Sequence, residues 1–367
     1  MSIVSDLRMY ARFGLGFPAF LKQKLTVPEA QAIVRERLQQ REENFLRILR
    51  VGIFGYEKSP YHPLFRHAGV AYADLERMVR EKGLEPTLRA LRHEDVYYSF
   101  EEFKGREDVV RGAETWRVEP HDFDNPYMKS AYYGTTGGST GPGTRIYFDL
   151  EQTIARAPNT LLGKHAHEIH QVPHAVWRGL LPSIVGVSNL LGGALTDDVP
   201  RKWFTPLGMN DTKPALKNRL ATSYIVHAGR FFGAPFPVPE IVRYEDAHVI
   251  AQWMERTAKE HGRAHVGAFA SMSMRIAVAA GERGIDLSKC SMTMGGEPPT
   301  PAKVAALERV GVRPVFTYYF SEVGAIGMGC MNPRENNEHH LMTDSLALVP
   351  YPRKVPGMEI EVDAFNL

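Results

Sequence analysis

The sequence predicts an α/β fold, with mainly parallel sheets flanked by helices and a helical N-terminal region. Three observations point there. From residue 264 onward, short apolar runs alternate with helical stretches. A long Gly/Thr/Ser loop joins two aromatic-rich strands near residue 140. The first hundred or so residues carry apolar side chains at helical spacing. The apolar runs Ala264–Ala270, Cys290–Met294 and Val312–Phe320 read as strands. Helices are expected from about Ser271 to Glu282 and from Thr300 to near Gly311, with Gly284 and Gly311 placed as stops. Strands alternating with helices of this length imply right-handed βαβ units, whose ligands gather outside the carboxyl ends of the strands.

The N-terminal region follows from local signals. Thr26, Val27, Pro28 and Glu29 form a capping box with Pro in the first turn. Ala30, Ile33, Val34 and Leu38 continue at helical spacing, and Phe45 and Leu49 extend the stripe. Leu75, Met78 and Val79 begin another amphipathic helix that Gly83 stops. Phe13, Leu15, Phe17 and Phe20 read as a packed N-terminal arm. Residues 1–115 are assigned to this helical region and 116–367 to an α/β core.

Composition excludes several classes of function. Of 367 residues, 44% are apolar and 23% charged, which is globular rather than disordered. Lys and Arg number 44 against 42 Asp and Glu, and a net charge of +2 gives no field suited to nucleic acid or anionic membranes. The two cysteines, Cys290 and Cys330, make no disulfide framework and point to a reducing compartment. No apolar run reaches the roughly 18–20 residues that span a bilayer, so no membrane span and a cytoplasmic location are expected.

The chemistry concentrates in Tyr132-Tyr133-Gly134-Thr135-Thr136-Gly137-Gly138-Ser139-Thr140-Gly141-Pro142-Gly143-Thr144-Arg145. A polyphosphate requires N–H donors, hydroxyls that approach without a Cβ clash, and a cation. Thr135, Thr136, Ser139 and Thr140 supply hydroxyls, the glycines free the backbone, and Arg145 is the nearest cation. No GxxxxGK[ST] sequence occurs, so this is not a Walker loop. The segment also opens a strand rather than a helix, which argues against a dinucleotide fingerprint.

Gly134 to Gly141 resembles the phosphate loop of the adenylate-forming superfamily of acyl-CoA synthetases, luciferases and peptide-synthetase adenylation domains. Gly295-Gly296-Glu297-Pro298 resembles that family's adenine-binding turn, and Tyr318-Tyr319-Phe320-Ser321-Glu322 its aromatic-Gly-x-Thr-Glu motif. The three matches run in family order from about Tyr132 to Asp344. Spacing and the helical N-terminus look most like the phenylacetate–CoA ligase and acyl-protein synthetase branch. The resemblance implies ATP-dependent conversion of a carboxylic acid, aromatic or fatty, to its acyl-AMP with release of pyrophosphate. Transfer to a thiol of CoA or an acyl carrier protein would follow. A non-catalytic nucleotide-binding scaffold, or transfer to an amine or a reductase, are the alternatives.

The family's roles carry over as expectations. Thr135, Thr136, Gly137, Gly138, Ser139 and Thr140 would hold the β- and γ-phosphates of ATP. Gly295, Gly296, Glu297 and Pro298 would line the adenine, with Tyr318 stacking on it and Tyr319 beside it. Ser321 would contact the α-phosphate and Glu322 would hold Mg²⁺. Two departures stand out: Arg145 where the loop usually ends in Lys, and Tyr319 where the motif has Gly, which narrows the acyl pocket. The family's pocket helix corresponds to Trp177–Ala194, making Ile184, Val185 and Asn189 candidate acyl contacts. Tyr224–Phe232 reads as an apolar strand forming the opposite wall, with His227 in it.

Metal candidates are thin. His165, His167, His170 and His174 have suggestive spacing but no completing carboxylate or thiol pattern. Cys330, His339 and His340 resemble a cluster that, in some members of the branch, surrounds a structural Zn²⁺. Residues Val355–Val362 read as a hairpin-like strand. The family continues beyond this point into a hinge and a small C-terminal domain with a Lys used in adenylation. That domain is expected to be absent here, the chain being a piece of a longer enzyme that binds ATP but adenylates slowly.

Overall fold

The computed structural model describes residues 3–128, 131–135, 145–206, 216–320, 323–335, 338–354 and 357–365. They group into two compact units: one of residues 1–34 with 129–342, the other of residues 35–128 with 343–367. The first 34 residues thus belong with the α/β unit.

The opening helix α1 (Ile3–Leu21) buries Phe13, Phe17 and Phe20 and leaves Leu15 in solvent. Helix α2 (Val27–Gln39) starts at the expected capping box, where the Thr26 N–H and hydroxyl both donate to Glu29 Oε2, at 2.8 and 2.7 Å. The helical stripe then breaks at Gln40. It resumes as α3 (Arg41–Ile48) and widens into a π-helical turn over Leu49–Phe54.

The smaller unit continues with α4 (His62–His67), α5 (Tyr72–Lys82), α6 (Leu84–His93) and α7 (Phe100–Phe103). Gly83, at φ +83°, separates α5 from α6 as the sequence predicts. The hairpin β1 (Val109–Arg111) and β2 (Glu114–Trp116) brings Arg111 into the interior. There Arg111 Nη1 donates to Glu102 Oε1 at 2.8 Å, and its Nε and Nη2 donate to the Asp95 and Tyr97 carbonyls. This buried guanidinium is fully matched.

The larger unit holds the α/β architecture. A two-stranded antiparallel ribbon, β3 (Ala131–Thr135) with β4 (Arg145–Asp149), precedes α8 (Leu150–Ala166). Eight further strands form one sheet: β5 (His174–Trp177), β6 (Lys202–Thr205), β7 (Pro239–Ile241), β8 (Ala264–Phe269), β9 (Cys290–Gly295), β10 (Arg313–Phe320), β11 (Gly324–Gly329) and β12 (His339–Leu341). Their order is β12-β11-β10-β9-β8-β5-β6-β7, parallel from β7 to β10 and antiparallel at β11 and β12. In the smaller unit, β13 (Pro350–Lys354) and β14 (Glu361–Phe365) pair as an antiparallel hairpin, and residues 357–360, expected within a strand, form part of the connection between them.

Helices cover the sheet. On one face α11 (Ala247–His261), α12 (Ala270–Arg283) and α13 (Pro301–Glu308) pack Ile250, Met254, Ile276 and Leu307 against Trp177, Val266, Met292 and Met294. On the other, α1, α8, α9 (Ile184–Leu195) and α10 (Leu216–Phe231) pack around Val176 and Trp203. Residues 224–231, expected as a strand, are the end of helix α10. Their buried members Ile225 and Val226 fall among polar neighbours that solvate the outer face of a helix, and the short apolar run concealed that period.

Gly186 shows how tightly α9 seats. A Cβ there would stand 2.5 Å from Trp203 Cζ2 and 2.8 Å from the Gly179 carbonyl oxygen. Backbone and a fully buried indole cannot both retreat. Gly186→Ala is expected to lower unfolding stability by about 1–3 kcal/mol, measured from urea midpoints at constant slope.

Candidate functional site at the carboxyl edge of the sheet

Parallel pairing sets the geometry. Phe269 at the end of β8 lies opposite Gly295 at the end of β9, and Phe316 of β10 lies opposite Met294. The chain therefore leaves all three strands along one edge, where crevices of open α/β sheets collect ligands.

Gly295 is needed because β10 comes so close: a Cβ there would lie 2.5 Å from Thr317 Oγ1 and 3.0 Å from its carbonyl oxygen. Thr317 Oγ1 donates to the Met294 carbonyl at 3.2 Å and ties the two strand ends together. Gly296 follows at φ +78°, exposed, and a Cβ on it would meet the Phe269 ring at 2.9 Å. The turn thus presents bare backbone beside an aromatic ring. Tyr318, 44% exposed, stands on the adjacent strand in edge contact with Phe320, with centroids 5.0 Å apart.

Glu297 is held from the neighbouring helix. Its carboxylate accepts from Ser271 N at 3.0 Å, Ser271 Oγ at 2.6 Å and Lys303 Nζ at 3.2 Å. Burial raises its pKa, but the hydrogen bonds of Ser271 and the charge of Lys303 outweigh that and hold it below its ordinary value. The carboxylate therefore orders the turn, and Pro298, exposed, contributes its carbonyl to Lys303.

Residue Arg178, which the sequence reading passed over, follows β5 at the same edge. Its N–H donates to the Phe204 carbonyl and its carbonyl accepts from Trp203 Nε1, each at 3.0 Å. The side chain is buried, 7% exposed, with the guanidinium 4.3 Å above the Phe269 ring and Nη2 donating to the Ala268 carbonyl. Burial pushes its pKa down to about 10, so it is charged at neutral pH. Its unmatched donors were the signal, and those appear only in three dimensions.

The remaining expectations distribute as follows. Thr136, Gly137, Gly138, Ser139, Thr140, Ser321 and Glu322 lie outside the described residues. Thr135 and Arg145 pair in register across the β3–β4 ribbon, so the loop starts and ends at facing positions. Ile184 is buried at the start of α9 and Val185 is half-buried. Asn189 Nδ2 donates to the Val185 carbonyl, and its Oδ1 lies 3.9 Å from where a Gly267 Cβ would stand. Tyr319 is half-buried and felt electrostatically by Arg178. His227 sits exposed on helix α10 rather than in a strand wall.

The zinc expectation finds no support among the described residues. Among the described residues, no group of three or more His, Cys, Asp or Glu is disposed to hold a metal ion. His339 and His340 are successive residues of a strand and alternate in face. Cys330 is tied through its backbone N–H to the Glu338 carbonyl. The upstream histidines serve other ends: His167 Nε2 pairs with the Gly329 carbonyl at 2.7 Å and His170 Nε2 with the Thr196 carbonyl at 3.1 Å.

At the amino edge, His174 Nδ1 lies 3.5 Å from Asp198, whose other oxygen binds Lys164 Nζ at 2.7 Å. Beside it, His265 engages Ser291 Oγ through Nδ1 at 2.8 Å and Thr293 Oγ1 through Nε2 at 3.0 Å. No helix among the described residues is long and apolar enough to cross a membrane.

Comparison with known proteins gives similarity of fold only. No family model matches the chain, and no curated protein matches it. Among solved structures, 2-hydroxyisobutyryl-CoA ligase in complex with 2-HIB-AMP and CoA is 15% identical, covering 87% of this chain and 58% of that one, at a TM-score of 0.44. VinN is 12% identical over 66% of this chain and 44% of its own, at 0.34. An acyl-CoA synthetase (AMP-forming)/AMP-acid ligase II-like protein from Dyadobacter fermentans is 13% identical over 57% of this chain and 47% of its own, at 0.33. The chain spans about half the length of the structures it matches.

The buried imidazoles make stability depend on pH. Burial, then the charge of Lys164, pushes His174 from 6.5 down to about 4, while burial and the charges of His174, Lys164 and Arg313 push His265 well below 6.5. Above 6.5 both groups are neutral folded or unfolded. Below it the unfolded chain binds protons that the folded chain refuses. Stability should therefore fall between about pH 6.5 and about pH 4, by up to about 1.4 kcal/mol per pH unit per histidine. Urea unfolding across that range measures it, and His174→Gln should flatten the slope.

Proposed function

We propose that the chain binds ATP at the carboxyl edge of its sheet and activates a carboxylic acid as the acyl-AMP, with release of pyrophosphate. The observation that carries this reading is the meeting of two segments distant in sequence. Gly295-Gly296-Glu297 and Tyr318-Tyr319, each resembling an adenylate-forming motif, lie at the ends of adjacent parallel strands, so close that a Cβ on Gly295 would stand 2.5 Å from Thr317 Oγ1 and 3.0 Å from the Thr317 carbonyl oxygen. Tyr318 offers a face for the adenine, and Gly296 leaves the other side open. The Gly/Thr/Ser segment between β3 and β4 would take the β- and γ-phosphates, with Arg145 as its cation.

The reaction needs little from acid–base groups. A carboxylate is ionised at neutral pH. Its oxygen attacks the α-phosphorus, a new C–O–P linkage forms, the bond to the bridging β-oxygen breaks, and pyrophosphate leaves with the electron pair. The obstacle is repulsion between anions, which oriented N–H donors and hydroxyls offset. Mg²⁺, held at Glu322, would supply further charge neutralisation when bound. Transfer to the thiol of CoA or a carrier protein would follow. Spacing favours the phenylacetate–CoA ligase and acyl-protein synthetase branch.

Incubating the chain with ATP, Mg²⁺ and a panel of carboxylic acids, and detecting acyl-AMP by mass spectrometry, tests the reaction. ATP bound without acyl-AMP from any acid would leave a nucleotide-binding scaffold as the better reading. Tyr318→Ala is expected to weaken ATP binding by about 5- to 100-fold, as loss of one base-stacking surface does, read by calorimetry.

A further inference from the structure

We infer that Arg178 is the receptor for an anion on the acid substrate other than the carboxylate being activated, so that the preferred substrate is a dicarboxylic acid. The inference rests on the adenylation reading for the word substrate, but on Arg178 itself for the anion.

Two arginines are buried among the described residues. Arg111 meets Glu102 and backbone carbonyls at every nitrogen. Arg178 differs. One nitrogen, Nη2, reaches the Ala268 carbonyl at 3.0 Å, while Nε and Nη1 have no hydrogen-bond partner among the described residues. A guanidinium carries one N–H on Nε and two on Nη1. Those donors are buried with a full charge, and no carboxylate among the described residues pairs with it. The other buried unpartnered side-chain atoms belong to the imidazoles of His167 and His248 and the hydroxyl of Ser273, none of which carries a guanidinium's permanent charge, and burial pushes His167 further from protonation. A neutral orphan is tolerable; an unpaired buried cation is costly and asks for an anion.

The position says which anion. Arg178 closes β5, one strand from Phe269 and two from Gly296, so about 10 Å of sheet separates it from the turn at β9. Its fork is fixed by the Phe269 ring beneath it, and that ring in turn lies against Gly296. An acid reacting near the turn can extend a distal group to Arg178 past Phe269. The reacting carboxylate is the wrong ligand. It loses its charge on becoming the anhydride, and a guanidinium gripping it would blunt its attack and then be left unpaired. An anion that persists through the reaction satisfies Arg178 at every stage.

The test uses the wild-type chain and two variants, Arg178→Met and Arg178→Lys. Isothermal calorimetry without ATP compares succinate, adipate and suberate with butyrate, hexanoate and octanoate, and acyl-AMP yield is measured for the same acids. Wild-type protein should bind and activate a dicarboxylate in preference to its monocarboxylate homologue. Arg178→Met should lose about 30-fold or more of that preference, the lower end for truncating a buried charge pair, with Arg178→Lys keeping part of it. A wild-type preference for monocarboxylates, or a ratio unchanged in Arg178→Met, overturns the inference. Weakened ATP binding in Arg178→Met with acids unaffected would also overturn it, giving the guanidinium to a nucleotide phosphate. Dicarboxylate binding that depends on Arg178 without any acyl-AMP would uphold the anion site and sink adenylation instead. Should Arg178→Met fail to fold, the wild-type panel still decides.

Discussion

In the larger unit, parallel pairing of β5, β8, β9 and β10 is the constraint from which the rest follows. Strands that run the same way release the chain along one edge, so Arg178, Phe269, Gly296 and the tyrosines of β10 are gathered there without any contact needed between their sequence neighbours. Alternation across the pleat then divides each strand between two tasks. Trp177, Val266, Ala268, Met292 and Met294 face the apolar cluster under α11, α12 and α13. Their alternates, Val176, His265, Gly267, Ser291, Thr293 and Gly295, face the other way. The second face also buries an apolar core around Val176 and Trp203, and polar side chains stand beside it at the strand ends.

Those polar side chains are treated differently at the two edges. At the amino edge His265 has both ring nitrogens engaged, and Asp198 satisfies Lys164 and approaches His174. Such closed networks rigidify a sheet and leave nothing over for a ligand. At the carboxyl edge Glu297 is likewise closed on Ser271 and Lys303, which fixes the turn, but Arg178 is open. Structural groups are saturated; the group that faces the crevice is not. The same contrast separates Arg178 from Arg111, two arginines of similar burial with opposite hydrogen-bond accounts.

Much of this was legible in the sequence where the signal was local. The capping box at Thr26 and Glu29, the stops at Gly83, Gly284 and Gly311, and the strand–helix rhythm from Ala264 all depend on neighbours within one turn or one loop, and each is present. The strand ends at Gly295 and Phe320 were readable for the same reason. Reading failed where long-range packing decides. Residues 224–231 are apolar in a short run that suits strand or helix alike, and only their burial against α9 and Phe236 selects the helix. For Cys330, His339 and His340, which resemble a cluster of the phenylacetate–CoA ligase branch, strand geometry turns the two neighbouring histidines to opposite faces.

By itself the sequence determined the strands and helices from Ala264 to Phe320, and that glycine-rich and aromatic segments end them, because backbone freedom and hydrophobic period are local properties. Only the tertiary structure decided which strands are neighbours, since pairing depends on burying both faces of the sheet at once. It alone decided that Arg178 would be interior and short of partners. A charge count cannot reveal that: whether a cation is satisfied depends on which acceptors the folded chain brings within about 3 Å, and among the described residues it brings one.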